Sequence, residues 1–403
     1  MMEKIVYREN LEKNILYSNM NVDEDFSFTK KQLLRDEIIF SLKNQGFDVR
    51  SLFEKNKDIL KKQEYKKLQL QSSLEQKKLH KKMLLKLLPT VKPFMKNLNE
   101  INPEKIKLKL IEVTHGSIYE KIFKWWNFSW WSMPYQRAYG RQMRFVIWDT
   151  YHDAPFGLIG LQSPVLKMSV RDNYLNIPKE ELDIWINQSM NAQRIGALPP
   201  YNELIGGKMV SLALVSKELR MAYKNKYKNA VTLMENRHIN PELLFLTTTS
   251  AFGKSSIYNR LKINKHLVAK SLGYTKGYGS FHINEILFQK IIQFLEEEDI
   301  DTHRSFGSGP STRIRLLNKA FRLLDIPGLE QHGLKREFFI FENVSNLKGV
   351  LHNKEEPKYY DYKFSKLVEY WKKRWAIARK ERLNIDSTFD KEDFVKNLES
   401  ELL

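Results

Sequence analysis

Along residues 30–47, KKQLLRDEIIFSLKNQGF, apolar side chains recur at three- and four-residue steps and the run closes at Gly46. That pattern predicts an amphipathic helix. Residues 51–89 predict a longer Lys-rich helical stretch that stops at Pro89, with paired lysines beginning at 61, 66, 77 and 81. From Lys105 the period shortens. KIKLKLIEV (105–113) alternates as a half-buried strand does. RQMRFVIWDT and FGLIGLQSP, joined by YHDAP, predict two strands and a turn. QRIGALPP predicts a further strand ended by its prolines, and ELLFLTTTSA an apolar, Thr-rich one. KMVSLALVSKELRMAYKNKY (208–227) predicts one helix with a basic last turn, SSIYNRLKI (255–263) a short helix opening on serines, and LGYTKGYGSFHI a glycine-broken strand. Past Asn284 the helical period returns in ILFQKIIQFLEEE, in the basic segment after FGSGPS, and in FSKLVEYWKKRWAIARKERL. The last residues turn acidic and are expected to fray. The order divides the chain into a Lys-rich helical region (1–95), an α/β core (96–283) and a helical C-terminal region (284–403).

Charge adds a partner to this outline. Among 403 residues, 67 Lys and Arg face 48 Asp and Glu, a surplus of 19 positive charges. A clustered surplus of that size favours a polyanion, and nucleic acid is the commonest one. The plainer alternative for the Lys-rich helices is a solvated face, since no aromatic side chains interleave with their lysines. There is no cysteine, so disulfides, thiolate catalysis and cysteine metal sites are excluded. The nine histidines show no ligand spacing, and no metal is expected. MMEKIVYRENLEKN carries charge throughout, unlike a secretory signal, and no run approaches the ~18 apolar residues of a membrane span. A cytoplasmic protein without membrane segments is the expectation.

Gly206-Gly207-Lys208, just ahead of an apolar helical run, raises the question of a phosphate cradle. The nucleoside-triphosphate loop requires glycine at 202 and a hydroxyl at 209, where Asn202 and Met209 stand. The dinucleotide glycine pattern is also absent. Two readings remain: free helix-start amides facing an anion, or a tight entry into a buried helix. The order of the elements resembles the GNAT acyltransferase fold. That resemblance implies an α+β fold with a GNAT-like central mixed sheet, helices on both faces, and helical extensions at each end. It implies an acetyl-coenzyme-A-like thioester at Gly206, Gly207 and Lys208, and Tyr258 as general acid to the departing thiolate. Glu203 ahead of the glycines and Lys262, where that pattern has glycine, depart from it, and a packed core tyrosine is the alternative for Tyr258. Asp172 is a candidate base, with a structural Arg171–Asp172 pair as its alternative.

Arg137, Arg141 and Arg144 in YQRAYGRQMRF are candidates for phosphate contacts, beside Trp125, Trp126, Trp130 and Trp131, which offer either stacking faces or core. Strand alternation sends Arg141 and Arg144 to opposite faces. Lys254, at a serine-rich helix start, and Arg313 and Arg315, after the glycines of GSGPSTRIR, complete the basic candidates.

Four stretches taken together, GRQMRFVIWD, LPPYNELIGGKMVSLAL, TTSAFGKSSIYNRL with LGYTKGYGSFHI, and GSGPSTRIR with HGLKREFF, resemble the DruA family of Druantia anti-phage defence systems. Two of them are also similar, at the level of fold, to DNA-modifying GNAT proteins of the Mom group. The resemblance implies a bacterial antiviral defence protein encoded beside a large helicase-like protein and other Druantia components. It brings no settled reaction. Two mechanisms stay open: a DNA-binding subunit on a GNAT-derived scaffold, and an acyltransferase-type enzyme acting on DNA or protein.

Overall fold

The structure, a computed structural model, describes residues 29–47, 62–131, 138, 140–178, 180–232, 236–251, 253–280, 282–303, 312–331, 335–383 and 388–402. Its centre is a seven-stranded mixed sheet. The strands are β1 (Leu108–Glu112), β2 (Gln142–Asp149), β3 (Ala154–Gln162), β4 (Ser189–Ala197), β5 (Phe245–Thr249), β8 (Ala269–Tyr274) and β9 (Glu337–Glu342). β6 (Lys262–Ile263) and β7 (His266–Leu267) form a separate small hairpin. β1 to β4 pair antiparallel in succession; β4 and β5 are parallel; β5, β9 and β8 are antiparallel again. The fold is therefore α+β, with a mixed central sheet.

Both faces of the sheet are covered. On β2, Met143, Phe145 and Ile147 join one core with the helices Gly206–Ala213, Lys217–Tyr227 and Phe364–Trp371. Val146 and Trp148 join the opposite core with the helices Lys81–Val91 and Ile118–Ser129. This is the two-residue period of a strand buried on both sides. A Cβ on Gly157 of β3 would lie 2.6 Å from Val210, so the glycine lets the helix Gly206–Ala213 settle onto the sheet. A third core joins the helix Lys30–Asn44, started by a Thr29–Gln32 capping box, to the helices Glu285–Glu297 and Thr312–Leu323. β9 and the helix Phe364–Trp371, which the sequence reading assigns to the C-terminal region, belong to the central sheet and its core.

Several local expectations are corrected. Residues 256–260 form a turn, not a helix, with Arg260 at φ 54°. The run 208–227 is two helices, because Ser216 caps a new start by accepting from the Leu219 amide. Pro89 lies inside a helix that continues to Val91; the amide it lacks would have bonded Leu85, on the solvent side of the helix. The acidic end packs as the helix Lys391–Leu402, with Val395 and Leu398 buried and Phe394 stacked on Trp126 at 5.8 Å. Trp125 and Trp126 are wholly buried there, so of their two readings the core one holds.

Candidate nucleic-acid interface

The corner after β4 is built on a buried carboxylate. Asp149 accepts from the amides of Lys107 and Tyr151, from the Tyr201 hydroxyl at 2.9 Å and from His152 Nδ1 at 2.6 Å. His152 Nε2 accepts from the Asn102 amide, so the dyad is fully satisfied. Burial, with Asp149 beside it, holds the Tyr201 hydroxyl well above the usual tyrosine pKa. Tyr201 in turn offers its carbonyl to the amide of Gly206 at 3.0 Å. A Cβ on Gly206 would lie 2.5 Å from that carbonyl and 2.9 Å from Ala197 Cβ, whereas one on Gly207 would meet only Ile257 at 3.3 Å. Gly206 is there for close packing.

Lys208 leaves this corner and reaches the turn that carries Tyr258. Its ammonium donates to the carbonyls of Ser256, Ile257 and Asn259 at 3.3–3.4 Å. A helix would have used those carbonyls internally; the turn presents them to Lys208 instead. Tyr258 points the other way, into the core, edge-on to Phe339 and Phe341. Burial pushes its phenol up to about 12, partly offset by its bond to Thr248 and by Arg336. The ladder between β4 and β5 ends at Asn191 and Thr247, and beyond it the Thr248 hydroxyl takes the Ala192 carbonyl at 2.7 Å. Arg336 donates to Ser250 O and Thr249 Oγ1, and burial brings its guanidinium down to about 10.

Outward from Lys208 runs a strip of aromatic rings and cations. Lys208 sits 5.7 Å over the Trp375 ring, and Arg374 lies 5.2 Å from the same ring and 5.9 Å from Tyr370. Burial, and Arg374 after it, lowers the Lys208 pKa. Trp375 meets Tyr370 edge-on at 5.7 Å, and the Tyr370 hydroxyl donates to Lys262 O on the β6–β7 hairpin. At the hairpin's other strand, His266 Nδ1 bonds the Tyr362 hydroxyl at 2.9 Å. Tyr360 lies 4.4 Å from His266 and 5.3 Å from Tyr362, with 10° between the two tyrosine planes. Arg260, Lys262, Lys265, Lys363, Lys366, Lys373 and Arg374 are exposed along these segments. Among the described residues none of them, nor Lys208, forms an ion pair with a carboxylate. Uncompensated cations next to aromatic faces suit a phosphate backbone with accessible bases.

The other sequence candidates lie apart from one another. Arg137 is outside the described residues. Arg141 spends its guanidinium on the carbonyls of Ile186, Asn187 and Ser189 and on the Tyr223 hydroxyl. Arg144 lies on the opposite face, over Phe123 and 3.7 Å from Glu120, as strand alternation predicts. Asp172 accepts from Arg171 and from the Met168 amide, which is the structural pair. Arg313 is held by Glu285 and Ile283 O over the Phe288 ring, and Arg315 donates to His303 O. Lys254 is exposed on the segment leading into the Tyr258 turn. Among the described residues no cluster of His, Asp or Glu could hold a metal, and no helix is long and apolar enough to cross a membrane.

Sequence reasoning missed the tyrosines at 360, 362 and 370 and the hairpin lysines. Two signals were available. No Asp or Glu occurs between Glu242 and Glu285, and Lys358-Tyr359-Tyr360-Asp361-Tyr362-Lys363 interleaves rings with charge.

Comparison with known proteins agrees on one family. A family model described as Druantia protein DruA matches residues 59–353, so the hairpin lies inside the match and residues 360–375 beyond it. The Druantia protein DruA of Escherichia coli (strain UMEA 4076-1) is 34% identical over 286 residues, covering 70% of this chain and 70% of that protein. No solved structure matches.

Proposed function

The chain belongs to the DruA family, and on that premise we propose that it serves a Druantia anti-phage defence system in the cytoplasm as a nucleic-acid-binding subunit alongside a helicase-like partner. The observation that carries this reading is the strip from Lys208 through Trp375, Tyr370 and the hairpin to Tyr360. Seven exposed cations that form no ion pair with a carboxylate among the described residues border it, and a phosphate backbone is a ligand that suits them. The test is protection itself. Arg374→Glu with Lys262→Glu, expressed with the rest of the system, is expected to lose resistance to phage while the purified protein keeps its melting temperature. Undiminished protection by the folded double variant would overturn the assignment.

The second reading is the GNAT-like acyltransferase. Its support is the order of elements: a helix leaving the fourth strand, a fifth strand parallel to it, and Tyr258 after that strand. Its difficulty is the cradle. The Gly206 amide is bonded to Tyr201 O, the Lys208 amide to Ile205 O, and the Lys208 ammonium to three carbonyls. Gly206, Gly207 and Lys208 so arranged do not fit a pyrophosphate, and no transfer step is assigned to them. A saturable rise in melting temperature with acetyl-coenzyme A would favour this reading. Ligand binding to the folded state alone stabilises it by about 2.7 kcal/mol at a hundredfold excess over Kd.

A further inference from the structure

We infer that the rings of Tyr360, Tyr362 and His266 form a floor for unpaired bases, so that the nucleic acid held by the strip is single-stranded. The inference rests on the nucleic-acid reading above and narrows it.

The geometry of the rings carries the argument. Tyr360 and Tyr362 lie 10° from parallel at 5.3 Å; His266 is 24° from Tyr362 and 34° from Tyr360. Most ring contacts in the cores of this protein are edge-on or tilted, such as Trp125 with Trp126 at 88° and Phe156 with Trp371 at 86°. All three rings of the floor are half-buried, so part of each remains at the surface. The Tyr362–His266 hydrogen bond fixes the orientation of two of them, and the Tyr360 amide is tied to Asn343 O.

Near-parallel rings at 5.3 Å, with a third ring at 4.4 Å, are stacked on one another, and a base with a free face can extend such a pre-set stack. In a duplex both faces of each base are covered by its neighbours. A double helix therefore offers the strip only phosphates and groove edges, and the floor stays unused. The charges fit a strand that passes over the rings. Lys262 and Lys265 on the hairpin and Lys363 beside Tyr362 are exposed and unpaired among the described residues. Two described acids lie near these rings: Glu342 is buried and held by Lys270 at 2.6 Å and by Tyr174 at 2.7 Å, and the exposed Asp361, between the two tyrosines, is paired with Lys217 at 3.4 Å.

The experiment is fluorescence anisotropy with the full chain and three probes. These are an oligothymidine of about 16 residues, near the upper end of single-strand site sizes, the corresponding oligouridine, and the DNA duplex of the same length. The single strands are expected to bind at least about tenfold more tightly than the duplex. Tyr360→Ala is expected to weaken single-strand binding about five- to a hundredfold, the effect of losing one stacked base, and to leave duplex binding unchanged. Tyr360→Phe keeps the ring and should keep the affinity. Equal affinity for single strand and duplex, or a Tyr360→Ala loss shared by the duplex, overturns the inference and leaves the nucleic-acid reading standing. Failure of all three probes to bind overturns both. A preference between oligothymidine and oligouridine identifies which single strand is held.

Discussion

Gly206→Ala tests the reading of the glycine pair as packing. The added methyl would lie 2.5 Å from the Tyr201 carbonyl, 2.9 Å from Ala197 Cβ and 3.1 Å from Phe156 Cζ. The carbonyl cannot yield cheaply. It belongs to a fully buried residue whose hydroxyl is anchored on Asp149, and it accepts the Gly206 amide itself. Overpacking a core costs about 1–3 kcal/mol, with a rigid backbone contact at the upper end. Replacing glycine by alanine in a helix returns about 0.5–1 kcal/mol. A net loss of about 2 kcal/mol follows. Gly207→Ala meets only the far end of Ile257, at 3.3 Å, and should stay within about 1 kcal/mol of the parent. Urea unfolding followed by tryptophan fluorescence reads both, with the slope compared first so that midpoints report stability. Gly206→Ala as stable as Gly207→Ala would refute the packing argument and return the pair to the role of an open cradle.

Two further outcomes follow from the core. Tyr258→Phe removes the hydroxyl that meets Thr248 and should cost about 1 kcal/mol in thermal unfolding while leaving phage protection intact; lost protection in a stable variant would favour the acid role instead. His80 and His266 both have lowered pKa values, caused first by burial and then by Lys124 and Lys270 respectively, with Glu342 partly opposing at His266. The unfolded chain therefore takes up protons near pH 6.5 before the folded chain does, and stability is lost as pH falls through 6.5 towards the folded-state values. Melting temperatures between pH 7.5 and 5.5 should decline, and the decline should shrink in His266→Gln; an unchanged slope in that variant would remove His266 from the account.

The fold was largely legible because burial sets period. The β2 alternation, the amphipathic run 286–298 and the apolar strand at 245–249 all lie where their patterns place them. The failures have local causes. Residues 255–260 hold helix-compatible apolar spacing, but Ser and Asn favour turns and Lys208, some fifty residues earlier, claims their carbonyls. The Ser216 cap was readable in Ser-Lys-Glu-Leu and was overridden by the apolar periodicity on both sides of it. Arg141 shows the limit for charged sites: an arginine beside glycine reads as a phosphate contact, yet carbonyls from the end of the helix Leu182–Ile186 and the next strand absorb it. The strip was not legible as a unit. Lys208, the hairpin and residues 360–375 are far apart in sequence, and only the packing of the C-terminal helix on the sheet brings them together.

The most direct measurement is the salt dependence of binding to a labelled single strand, for the parent chain and for Lys262→Gln, Lys265→Gln, Arg374→Gln combined. These three cations are exposed and form no ion pair with a carboxylate among the described residues, and an unchanged melting temperature checks that the loss of Arg374's ring contacts leaves the fold intact. Each phosphate neutralised contributes about 0.7 to the slope of log K against log salt for a single strand. The account predicts a steep slope in the parent and one shallower by about 2 in the triple variant, three contacts at that increment. Equal slopes, or binding in the parent that does not respond to salt, would contradict it.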